Sequence, residues 1–79
     1  MAEVAFERAR YTEALDYARR AARMSPRTVK YHVIMGDALF KLLRYDAAQD
    51  AYDRARLLAP NDPGVQHRLQ RVKARLAGG

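Results

Sequence analysis

Two histidines, a lone serine and two groups of carboxylates are the residues of this chain whose types could do chemistry. His32 and His67 fall on different predicted helices, and neither sits in a metal-binding spacing such as H-E-x-x-H. His32 occupies a helix-packing position and is expected to be a core or part-buried imidazole rather than a ligand. Ser25 precedes a proline in a loop with no histidine nearby in sequence, a poor setting for a nucleophile. Glu3 with Glu7, and Asp46 with Asp50 and Asp53, place carboxylates on single helical faces. Acid–base work would need a pocket that raises one pKa, and these faces read as solvated. Gly36 and Gly64 stand alone, so no glycine-rich phosphate loop is present. The residues predict no catalysis, no cofactor and no metal.

The elements that position these residues are helices. A first helix is expected over Ala2 to Arg8, a second over Tyr11 to Met24, a third to about Lys41 behind Thr28, a fourth over Tyr45 to Leu58, and a fifth from Pro63. Breaks are predicted near Ala9–Arg10, Ser25–Arg27, Leu43–Arg44 and Ala59–Asp62. Thr28 and Asp62 are good N-cap residues, and Pro63 suits a first helical position because its missing N–H is not needed there. The inner sides are expected to carry Ala14, Leu15, Ala18, Ala21 and Ala22 on the second helix, and His32, Met35, Gly36 and Leu39 on the third. Met24 reads as a gap filler in the core. The last helix carries one narrow apolar stripe: Val65, Leu69, Val72 and Leu76.

These helices repeat. Phe6-Glu-Arg-Ala-Arg-Tyr11 lies over Phe40-Lys-Leu-Leu-Arg-Tyr45 when the chain is shifted by 34 positions. The same shift lays Ala14 over Ala48, Asp16 over Asp50, Arg20 over Arg54, Ala21 over Ala55 and Pro26 over Pro60. A period of this length, with Gly36, Ala48, Tyr52, Ala55 and Pro60 at their spacings, resembles the tetratricopeptide repeat, a helix–turn–helix unit. The resemblance divides the chain into a truncated first repeat (1–28), a complete repeat (29–62) and a closing helix (63–79), all in one domain. It implies an all-α solenoid fragment of five helices in two layers. There are departures: His32 stands at the family's tryptophan position, and Ala9 and Leu43 replace its turn glycine.

The resemblance also implies the function, a groove that binds a peptide or partner helix. Carried onto this register, the groove-facing positions are Lys30, Val33, Asp37, Phe40 and Lys41 in the complete repeat. Glu3, Phe6 and Glu7 join from the partial repeat, and His67, Arg71 and Arg75 from the closing helix. Val33 and Asp37 stand where the chaperone-binding members carry Lys or Asn, so their carboxylate clamp is missing. The expected partner is amphipathic, with acidic character at its end near Arg71. The shortened first helix is expected to leave Tyr11, Leu15, Tyr17 and Ala18 partly uncovered, so a homodimer through this N-terminal face is expected.

Composition bounds the alternatives. A chain of 79 residues buries only roughly 60% of its unfolded surface, so the fold should be marginally stable. The net charge is +6, built from five basic against four acidic residues in 1–26, six against four in 27–60 and four against one in 61–79. Acids are interleaved almost throughout, which reads as solvated helical faces rather than a nucleic-acid surface. No apolar run is long enough for a membrane span, and the last helix lacks the Trp or Phe of a membrane-surface helix. A cytoplasmic scaffold or binding module is therefore expected, within a larger protein or assembly. A regulatory appendage of a multidomain enzyme, or a basic nucleic-acid- or membrane-surface binder, are the readings ranked below it.

Overall fold

The computed structural model describes the backbone of residues 2–78 and the side chains of residues 7–78. Within them lie four helices: α1 (Ala2–Met24), α2 (Val29–Lys41), α3 (Tyr45–Leu58) and α4 (Pro63–Gly78). Three of the four predicted breaks are present. The fourth is not, since α1 runs straight through Ala9 and Arg10, and the described helices number four rather than five.

The two positions where a turn glycine is replaced explain the difference. After α2, Leu43 adopts a left-handed backbone with φ 64°. Its N–H donates to the Phe40 carbonyl, and that of Arg44 donates to the Leu39 carbonyl at 2.8 Å. This is a Schellman closure with leucine where glycine would sit unstrained. Ala9, one period earlier, keeps the ordinary helical conformation, which an alanine prefers over any other. The Thr12 hydroxyl, bonded to the Arg8 carbonyl at 2.8 Å, spans the expected break.

The helices pack in sequence order, α1 on α2, α2 on α3 and α3 on α4. The Cα envelope measures 40 × 34 × 17 Å, and its short dimension holds two layers of helix. The core runs through all four helices, with Leu15 from α1, Leu39 from α2, Ala48, Ala51, Tyr52 and Ala55 from α3, and Val65, Leu69 and Val72 from α4. Gly36 is required by close approach: a Cβ there would lie 2.3 Å from the Tyr52 ring. Ala48 and Ala55 are fully buried on the facing helix, as their small size anticipates.

Several local expectations need correction. Leu15 and Ala18, expected to be partly uncovered, are buried, because α2 lies on that side of α1. Of the other two residues of that expected face, Tyr17 stays exposed and Tyr11 is half-buried. Met24 is 86% exposed and fills no gap, since the chain leaves the helix there and turns away. Leu76, the last of the α4 stripe, is 39% exposed. Thr28 sits at the start of α2 but its hydroxyl makes no capping bond, whereas the Asp62 carboxylate accepts from the Gly64 and Val65 N–H groups. His32 is buried; its Nε2 donates to the Pro26 carbonyl at 2.8 Å, and Nδ1 has no partner. Among the described residues, no helix is long and apolar enough to cross a membrane, and no three His or carboxylate groups converge as a metal site.

Candidate partner-binding cleft

Because α2 and α4 both pack beside α3, their outward sides enclose a cleft of about 640 Å3. Asp37, Phe40 and Lys41 of α2 form one wall, and Pro63, Gly64, His67, Arg68 and Arg71 of α4 form the other. Tyr52 of α3 reaches in from the core between them.

A polar network crosses the cleft. The Tyr52 hydroxyl donates to Asp37 Oδ1 at 2.5 Å, and Arg68 Nε donates to the same oxygen at 3.0 Å. The Arg68 guanidinium also reaches the Gly64 carbonyl at 3.3 Å, which ties the start of α4 to its own next turn. Burial pushes the Tyr52 phenol well above the usual tyrosine range, and donation to the Asp37 carboxylate pushes it the same way; Arg68 and Arg71 act against them. The tyrosine is therefore a fixed donor that holds Asp37, not an acid that loses its proton in the neutral range. Asp37 Oδ1 thus accepts from both groups at once.

Beside the network lies an aromatic shelf. Phe40 meets Tyr45 edge-on, with ring centroids 5.2 Å apart, and the Arg71 guanidinium sits 5.0 Å above the Phe40 ring. That stacking leaves the N–H edge of the guanidinium available to an anion. Lys41 and Arg71 have no carboxylate within ion-pair distance among the described residues. The arrangement can hold an apolar group against Phe40 and an acidic group between the two cations. It contains no activated nucleophile.

Five of the eleven expected groove residues meet in this cleft: Asp37, Phe40, Lys41, His67 and Arg71. Lys30 and Arg75 are exposed but line no part of it, and Val33 is half-buried against the core. The side chain of Phe6 lies outside the described residues, as does that of Glu3. Glu7 borders a separate concavity of about 300 Å3 on α1, with Arg10, Tyr11 and Ala14. Sequence reasoning missed Tyr52 and Arg68. Tyr52 read as a packing residue only; Arg68 was legible as one turn from Gly64 and from Arg71, but its pairing with Asp37 spans 31 positions.

Residues 29–62 match the tetratricopeptide repeat family. This segment is a tetratricopeptide repeat. Neither the curated proteins nor the solved structures offer a match to the chain. The repeat so defined is α2 with α3, and the cleft lies where α4 packs on after it. Tetratricopeptide repeats in general mediate contacts between proteins.

Proposed function

We propose that the protein is a non-catalytic binding module that takes an acidic, amphipathic peptide or partner helix in the cleft between α2 and α4. One observation carries this reading. An aromatic side chain, Phe40, is flanked by Lys41 and Arg71, neither of which has a carboxylate partner among the described residues. The apolar shelf supplies burial for one anchor side chain, and the cations favour an acidic neighbour and repel a basic one. Asp37 does not oppose this, because Tyr52 and Arg68 already hold its charge.

Display of an acidic amphipathic peptide library, followed by titration of the selected peptide, tests the reading. Arg71→Glu and Lys41→Glu should each weaken binding about tenfold or more, roughly 1.4 kcal/mol, with helix content unchanged. Asp50→Ala on the outer side of α3 should leave affinity alone. Greater loss from Asp50→Ala than from Arg71→Glu would place the interface elsewhere. Tight binding to duplex DNA that collapses with salt, with none to any peptide, would replace this reading with the nucleic-acid one.

A further inference from the structure

Between Asp16 and Asp37 the chain carries five cations, Arg19, Arg20, Arg23, Arg27 and Lys30, and no carboxylate. Arg20 is paired with Asp16 at 3.1 Å. The other four are exposed, and none has a carboxylate within ion-pair distance among the described residues. They span the last turns of α1, the connection 25–28 and the first turn of α2, which together form one end of the molecule. Each short connection reverses the chain, so α1 and α3 run the same way, both packed on α2. The close of α3 therefore lies at that same end.

Large apolar side chains are exposed there as well. Met24, the last residue of α1, is 86% exposed, and Leu57, next to last in α3, is 74% exposed. Met24 and Leu58 stand one period apart, so the repeat itself puts a large apolar residue at the close of each of these helices. Neither Met24 nor Leu57 lines the cleft or the concavity on α1. The carboxylates on either side of Leu57 in sequence are already engaged: Asp53 pairs with Arg56, and Asp62 caps α4.

We infer that this end rests on an anionic lipid surface. Met24 and Leu57 enter the boundary between headgroups and acyl chains, where their apolar surface leaves water. Arg23, Arg27 and Lys30 lie against the anionic headgroups, and each cation so placed multiplies the affinity about fivefold. A nucleic acid would use the cations alone and leave Met24 and Leu57 in water, so the apolar pair decides for lipid. The inference does not rest on the peptide cleft. Phe40 and Lys41 close α2 whereas Lys30 opens it, so lipid and peptide need not compete.

Co-sedimentation of the full chain with vesicles of mixed phosphatidylserine and phosphatidylcholine tests this. Binding is expected to these and not to phosphatidylcholine alone, and it should weaken as salt rises. Arg27→Glu and Met24→Glu should each lower the partition coefficient at least about tenfold. Helix content should stay unchanged, since both side chains are exposed. Leu43→Glu makes the same charge change as Met24→Glu, at an exposed leucine in the turn of the opposite end, and should lose far less. The chain has no cysteine, so a single one can carry an environment-sensitive dye. A nitrobenzoxadiazole label on Met24→Cys should shift to the blue on anionic vesicles, and one on Leu43→Cys should not. Equal losses from Met24→Glu and Leu43→Glu would overturn the proposal, as would an unshifted label on Met24→Cys. Binding to duplex DNA with none to vesicles would overturn it too, and would assign the cations to a nucleic acid.

Discussion

Gly36 and Tyr52 form a matched pair, and each is explained by the other. A helix-interior glycine gives up about 1 kcal/mol relative to alanine, so its presence marks a place where no Cβ fits. The tyrosine ring fills that place and sends its hydroxyl on to Asp37 in the cleft. Gly36→Ala should therefore destabilise the protein by roughly 1–3 kcal/mol despite its better helix propensity. In a Tyr52→Ala background the same change should be neutral or mildly stabilising. Urea unfolding of all four proteins gives the coupling, and strictly additive effects would refute the contact. Tyr52 also gives a pH dependence of known sign. Its folded pKa is raised above the unfolded value of 10.0, so below that value both states keep the proton. As pH rises past 10.0 the unfolded chain releases its proton first, and stability falls. Tyr52→Phe should be less stable at neutral pH and should lose less of its stability on that alkaline limb.

At the scale of elements, the same substitution of a turn glycine has two outcomes. Leu43 is forced into the left-handed region because the chain must reverse there to set α3 on α2. The strain is about 1–2 kcal/mol for a residue with a side chain, and Leu43 is too exposed to regain it by burial. Leu43→Gly should stabilise the fold by roughly 0.5–1 kcal/mol, after the entropy of glycine in the unfolded chain is set against the relief. A lowered urea midpoint for that variant would contradict the strain. At Ala9 no such packing acts, and α1 follows its local preference for helix. The ordinary tools of sequence reading found the ends of α2, α3 and α4, because proline, Asp62 and the repeated stop residues act within a few positions.

Across the whole molecule, stability depends on a thin core shared by neighbours in line. Leu69 fixes α4 to α3 and is 3% exposed. Leu69→Ala should remove about 2–5 kcal/mol, enough to unfold a small domain or to detach α4. Leu76→Ala, at a 39% exposed site, should have less than half that effect. Thermal melts by circular dichroism compare the two, and equal losses would mean that the stripe is buried to its end. Loss of α4 would also open the cleft, since Arg68 and Arg71 leave with it. The contact that stabilises α4 is in this sense also the one that shapes the cleft.

The sequence by itself determined the helical class, the period, three of the four breaks and most of the buried set. Those features rest on local terms: spacing of apolar and small residues, caps, and prolines that act wherever they stand. It also placed Asp37, Phe40, Lys41, His67 and Arg71 together, because equivalent positions in successive repeats share a side. Only the tertiary structure decided that Ala9 stays helical while Leu43 does not, since that turns on which flanking helices pack. It alone placed α2 over Leu15 and Ala18, moving the open side of α1 to Tyr17. It alone joined Tyr52 and Arg68 to Asp37, groups 15 and 31 positions away, whose hydrogen bonds exist only once three helices are docked.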